Sequence, residues 1–231
     1  MMLNKLKVVA AAAAVSGLLA LGGASNAQAF NVGTHATPVG SGTMALAASA
    51  GASRLVVGGT LPLNCTTTTG NGTISTGAYP NTYPSGAVGT IQPVFSSCTG
   101  PSGFAFTVTC SAASQLQVTA TPPAQPATLL TTQGRITGIS CVITFELGCT
   151  ATASGTVPAT YTNGNGTTVG GKLTVLVAGQ ALNVTGSTCP AAVLPNGTAQ
   201  FGAPGSGSGT ALGNLTYNVS GAISGHPYIS D

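Results

Sequence analysis

Charge is almost missing from this chain. Its 231 residues include five Lys or Arg, two Asp or Glu and two His. The formal net charge is +3, and two of the positives, Lys5 and Lys7, sit close to the N-terminus. Beyond Ala29 only Arg54, Arg135 and Lys172 stand against Glu146 and Asp231. That leaves no basic patch to neutralise phosphates and argues against a nucleic-acid partner. It also argues against ordinary disorder, which needs low hydrophobicity together with high charge.

The shortage of acids and imidazoles excludes chemistry too. Glycoside hydrolysis needs paired carboxylates, and Glu146 stands alone with Asp231 at the last position. A serine relay would have to recruit His35 or His226, both near the chain ends, and no G-x-S-x-G elbow occurs. Two histidines and two carboxylates scattered along the chain make a poor metal site. C-x-x-C is absent, which removes zinc ribbons and thioredoxin-like pairs. "GTTVGGKL", Gly166 to Leu173, begins like a phosphate-binding loop but ends in Leu where a hydroxyl must hold magnesium. The expectation is a protein that is not an enzyme and uses no cofactor and no metal. Helical periodicity is also scarce; only "MALAASAGAS", Met44 to Ser53, would tolerate a helix.

What is present begins with an export signal. Lys5 and Lys7 precede an apolar run from Val8 to Leu21, and "NAQAF" closes it with small residues at Ala27 and Ala29. The run is shorter than the ~20 residues of a membrane span, and no later stretch is apolar enough to be an anchor. "LPNGT" at Leu194 to Thr198 scrambles a sortase motif and has no hydrophobic tail behind it. The expected organisation is a signal peptide over 1–29, then a single secreted, extracellular β domain over 30–231, with a possible sub-boundary at 121–126.

Alternation of period two runs from Ser41 almost to the end, with Thr, Ser, Gly, Ala and Val dominating. Asn-Gly pairs at Asn71, Asn163, Asn165 and Asn196 predict tight hairpin turns. Pro and Gly clusters at Tyr79 to Gly89, Thr121 to Pro126 and Gly202 to Gly209 predict loops. Three segments look alike: "GTMALAASAGASRLVV" from Gly42, "GFAFTVTCSAASQLQV" from Gly103 and "GKLTVLVAGQALNV" from Gly171. Each reads as an apolar strand, a small-residue turn and then Leu-x-Val, a candidate repeated hairpin. The expected fold class is all-β, an antiparallel β-sandwich or barrel-like fold with disulfide staples.

The staples are Cys65, Cys98, Cys110, Cys141, Cys149 and Cys189, an even set in a chain bound for an oxidising compartment. "GISCVITFELGC", Gly138 to Cys149, constrains their pairing. In a strand Cys141, Ile143, Phe145, Leu147 and Cys149 share one face, and Val142, Thr144 and Glu146 the other. The apolar set faces the core and Glu146 faces water. Extended over eight residues, Cys141 and Cys149 would lie roughly 26 Å apart, too far for a disulfide short of a tight reversal near Gly148. Six cysteines allow fifteen connectivities. The choice made here joins neighbours in cysteine order: Cys65–Cys98, Cys110–Cys141 and Cys149–Cys189.

N-x-S/T sequons occur at Asn64, Asn71, Asn165, Asn183, Asn196, Asn214 and Asn218, several of them explained by turn chemistry. Tyr79, Tyr83, Tyr161, Tyr217 and Tyr228 are read as lying largely in or beside loops. "LPLNCTTTTGNGTIST", "TIQPVFSSCTGPSG" and "CTATASGTVPATYTN" resemble stretches of a family of uncharacterised secreted Thr/Gly-rich proteins of actinobacteria. More distantly, the layout from Gly42 to Phe201 is similar to the secreted "protein activator of alkane oxidation" group of pseudomonads. The resemblance implies an extracellular, non-enzymatic protein associated with surfaces, biofilm or hydrocarbon interfaces.

Three functional expectations follow. The first is a structural or surface-active protein whose partners are its own copies, a cell-surface polymer or an apolar interface, because unguarded strand edges and near-zero charge favour association. The second is a carrier of an apolar small molecule held between sheets or in a barrel mouth lined by Phe95, Phe104, Phe106, Phe145 or Phe201. The third is a pilus-type subunit that polymerises by strand exchange, drawing on the extended pattern after Asn196.

Overall fold

The computed structural model describes residues 29–34, 42–124, 130–164, 170–206, 209–221 and 227–230. The expected signal segment apart from Ala29 lies outside this range, as do His35, His226 and Asp231. Strand β1 (Ala29–Thr34) is followed by β2 (Gly42–Ala50) and β3 (Ser53–Val57), which lie in line along β4 (Leu61–Pro80). Next, β5 (Ala87–Thr99) folds back along β4. Then β6 (Ala105–Cys110) and β7 (Ser114–Val118) lie in line between β5 and β8 (Thr131–Phe145). β9 (Thr150–Thr162) pairs with β8, and β10 (Gly171–Val175) and β11 (Ala181–Thr185) lie in line along β9. Finally β12 (Gly197–Pro204), the short β13 (Leu212–Gly213) and β14 (Leu215–Gly221) complete the wall, and β15 (Pro227–Ser230) pairs with β1.

Counting each in-line pair as one stave gives eight staves, four unbroken (β4, β5, β8, β9) and four broken. Each stave pairs antiparallel with the next in chain order. The last closes on the first, since β12 pairs with β3 and β14 with β2. The fold is therefore all-β and antiparallel, a closed up-and-down barrel carrying three disulfides. The ring draws strands from both sides of Thr121–Pro126, and β7 and β8 pair across that segment.

Period-two alternation builds this wall directly. Along β2, Met44, Leu46 and Ala48 point inward and the residues between them outward. The inward residues of all eight staves form one continuous core. β1 closes one end: Phe30 and Val32 are fully buried, and the Phe30 ring stacks on Tyr79 at 5.3 Å and Tyr83 at 6.1 Å.

Several expectations are corrected. "MALAASAGAS" is mostly strand β2, because Met44, Leu46 and Ala48 bury at strand spacing. Asn71-Gly72 is no turn but lies inside β4, paired with Gln92 and Ile91. A side chain at Gly72 would run into the main-chain carbonyl of Thr90, so the glycine serves close strand approach. The three look-alike segments are not hairpins. Each is a broken stave whose halves run in the same direction along one neighbour: β2/β3, β6/β7 and β10/β11. Their Leu-x-Val valines, Val57, Val118 and Val184, are all fully buried.

In "GISCVITFELGC", Cys141, Ile143 and Phe145 are buried and Val142 and Thr144 face out. The strand stops at Phe145, however, where the amides of Gly148 and Phe145 close a tight turn with Phe145 and Cys149 carbonyls, and Gly148 takes φ +80°. Leu147, expected in the core, is thereby turned out and 57% exposed. Glu146 is exposed at the same hairpin tip rather than on a strand face. The disulfides are Cys65–Cys98, Cys110–Cys141 and Cys149–Cys189. The first two join residues that face each other in register. The third ties the β8–β9 tip to the segment after β11. Closing loops of 33, 31 and 40 residues contributes ~3–4 kcal/mol each on a chain-entropy account.

Candidate functional site

The barrel interior is not filled evenly. A cavity of about 100 Å³ lies where the broken staves change over, walled by residues from all eight. Leu55, Leu63, Phe95, Phe106, Ile143 and Phe201 represent its apolar lining. Phe95 on β5 meets Phe201 on β12 edge to face, centroids 5.8 Å apart, although two staves separate them round one side of the ring and four round the other. Their contact spans the interior. Phe106 also lines the cavity, with Phe145 packed behind it at 5.2 Å. Phe104, the fifth expected aromatic, is 39% exposed at the turn before β6 and takes no part.

Three hydroxyl-bearing residues belong to the lining, Ser53, Ser114 and Tyr217, 1%, 2% and 3% exposed respectively, and the surface they help to form is almost wholly apolar. Ser53 Oγ accepts a hydrogen bond from Thr68 Oγ1 at 2.6 Å, which leaves its own proton to give. Ser114 and Tyr217 join the lining from β7 and β14. Burial pushes the Tyr217 phenol far up, so it stays a neutral donor at any ordinary pH. No charged side chain lines the cavity.

A second cavity of about 50 Å³ occupies the end of the barrel nearer β1. It contains Tyr161, whose phenol burial also raises, and Thr132, whose buried hydroxyl has no partner among the described residues. Tyr217 corrects the expectation of loop tyrosines, since it sits mid-strand in β14 and points inward; Tyr161 is also buried, one residue before the end of β9, and Tyr79, Tyr83 and Tyr228 lie near chain reversals or ends. Sequence reasoning named both tyrosines but missed Ser53, Ser114 and Thr132. The only available signal was alignment of the look-alike segments, which sets Ser53 and Ser114 at one position.

The remaining candidate residues are dispersed. The described residues hold no group of acids, histidines and cysteines that could share a metal ion. Arg54, though buried, faces outward, where Nε donates to Asn64 Oδ1 at 2.6 Å and Nη1 to the carbonyls of Gly209 and Ala211. Its task is to hold the β12–β14 excursion against the wall. Gly171 to Leu173, the end of the phosphate-loop look-alike, opens strand β10. Of the sequons, Asn64, Asn196 and Asn214 are engaged through their side-chain oxygens, and Asn165 lies outside the described residues. The outer face is hydroxyl-rich: Thr73–Thr90, Thr131–Thr162 and Thr174–Thr216 pair across strands, each at 3.0 Å. This alternation, polar out and apolar in, is the reverse of a membrane barrel. No described helix is long and apolar enough to cross a membrane. Compared with known proteins, the chain matches no family model, no curated protein and no solved structure.

Proposed function

We propose that the protein is a secreted, non-enzymatic carrier of a small apolar molecule held inside the barrel. The observation that carries this reading is the interior cavity with its Phe95, Phe106 and Phe201 wall. Apolar concavity with a few polar groups is the usual form of a small-molecule site. Three disulfides suit an oxidising compartment, and the signal-like segment over 1–29 supports export. Closure of the ring weighs against the pilus reading and against edge-driven self-association, since both need a long unpaired strand edge. Native mass spectrometry of protein released gently from its producing cells is the test. A co-purifying mass that heat or solvent removes is expected, and a clean apo mass from several growth conditions would count against the reading.

A second reading, a structural protein at a cell surface or an apolar interface, draws on the uncharged threonine-paired exterior. It predicts retention on cell-wall polymer or at an oil–water boundary. Protein that stays wholly in the aqueous phase in both assays would remove it.

A further inference from the structure

We infer that the smaller cavity, beneath the cap formed by β1 and β15, is a site for enclosed water, and that the Thr132 hydroxyl holds it. The inference is independent of the carrier reading, which concerns the larger cavity. Along β8 the inward row runs Thr132, Gly134, Ile136. Gly134 brings no side chain to that row, which leaves room beside Thr132, and both residues line the cavity. Val32 of β1 and Ile229 of β15 line it from the cap side, 0% and 7% exposed, so the space is shut off from the surface there. Thr132 itself is 2% exposed, and its Oγ1 has no hydrogen-bond partner among the described residues. A buried hydroxyl left unmatched is destabilising, and native interiors satisfy such groups with ordered water.

The dimensions agree with water and exclude larger guests. One water needs ~10–15 Å³ of cavity. This cavity has about 50 Å³, room for about three waters. Waters that share the space supply one another with the partners that a single hydroxyl cannot. A compact hydrocarbon is too large, since an engineered cavity that admits benzene has ~150 Å³. It would also leave the Thr132 hydroxyl unmatched. An anion finds no charge to meet it: Arg135 borders the cavity but has the opposite strand parity to Thr132, and its Nε donates to Gln117 Oε1 at 2.8 Å.

Water-oxygen magnetic relaxation dispersion of the disulfide-intact protein, with Thr132→Val and Thr132→Ser beside wild type, tests this. The method counts waters held for longer than the protein takes to tumble, and because it reads oxygen it is blind to exchange of hydroxyl protons. Valine keeps the shape of threonine without the hydroxyl, and serine keeps the hydroxyl. The long-lived signal is expected to fall by about one water or more in Thr132→Val and to persist in Thr132→Ser. Equal signals from wild type and Thr132→Val would overturn the inference. Loss in both variants would overturn the part given to the hydroxyl, since hydration would then follow packing alone. Wild type offers a check that needs no variant: cross-relaxation from water to the Leu173 and Val219 methyls, which also line the cavity. Its absence would mean that the cavity is dry.

Discussion

Asn163 does the work of a strand with one side chain. Its Nδ2 donates to the Ile229 carbonyl and its Oδ1 accepts from the Ile229 amide, both at 2.9 Å, in a site where Asn163 is 1% exposed. The amide thus completes the main-chain hydrogen bonding of β15, and through it of the capping strand β1. Asn163→Leu keeps the bulk but leaves a buried N–H and C=O unmatched, which should cost ~2–4 kcal/mol. The specific sign is faster hydrogen exchange at the Ile229 amide; loss of stability without that change would place the damage elsewhere. Glu146 is the opposite case. Exposed at the β8–β9 tip, it engages through its main-chain amide, which donates to the Ala105 carbonyl. Glu146→Gln should therefore shift stability by no more than ~0.5 kcal/mol. A thermal melt showing the ~3–5 kcal/mol loss typical of a broken buried charge pair would mean that Glu146 is a site after all.

At the scale of the element, what distinguishes this barrel is how its staves break and are mended. Between β10 and β11 the side chain of Gln180 substitutes for main chain: Nε2 donates to the Phe201 carbonyl at 2.6 Å and Oε1 accepts from the Phe201 amide at 2.7 Å. Beside the β6/β7 break, Gln92 Nε2 donates to the Cys110 carbonyl at 2.9 Å. The unbroken staves instead rely on glycine where neighbours crowd. Gly72→Ala would press a methyl into the Thr90 carbonyl and the Ile91 backbone, and overpacking of this kind costs ~1–3 kcal/mol. Gly51→Ala, where nothing lies within 4 Å and φ is not positive, is the matched control and should stay within ~0.5 kcal/mol. Urea midpoints of the two variants that moved alike would refute this view of β4 and β5. These two glycines also mark how far sequence reading reaches. Strand identity and facing were legible in "GISCVITFELGC" because burial imposes period two locally. Asn71-Gly72 misled because its turn chemistry is local, whereas the Thr90 carbonyl that requires Gly72 arrives from β5. The look-alike segments were visible, but only pairing along a shared neighbour distinguishes a broken stave from a hairpin. For the same reason the cavity hydroxyls stayed hidden: Tyr217 comes from the last stave and Ser53 from the first.

For the whole molecule, closure makes the inward residues of distant staves answer to one environment, and Tyr161 on β9 and Tyr217 on β14 report it. Burial pushes both phenols well above their ordinary value near 10. Below pH ~10 both are protonated in the folded and unfolded chains, and neither makes stability depend on pH. Above pH ~10 the unfolded chain loses these two protons while the folded barrel keeps them. Stability must then fall as pH rises toward the folded-state values, by ~1.4 kcal/mol per pH unit for each tyrosine. With both acting, the slope is ~2.7 kcal/mol per unit, steep enough to exhaust a typical domain within a few units. No free cysteine is present to start thiol–disulfide exchange. Denaturant midpoints measured from pH 8 upward should be flat to about 10 and then decline, and Tyr217→Phe should roughly halve the decline. Tyrosinate absorbance recorded alongside should lag for the Tyr161 and Tyr217 phenols until the barrel opens, then rise with the unfolding transition. Ionisation of Tyr161 and Tyr217 at the ordinary value in still-folded protein would mean that bulk water reaches the inner face, and that the ring is not closed around its cavity.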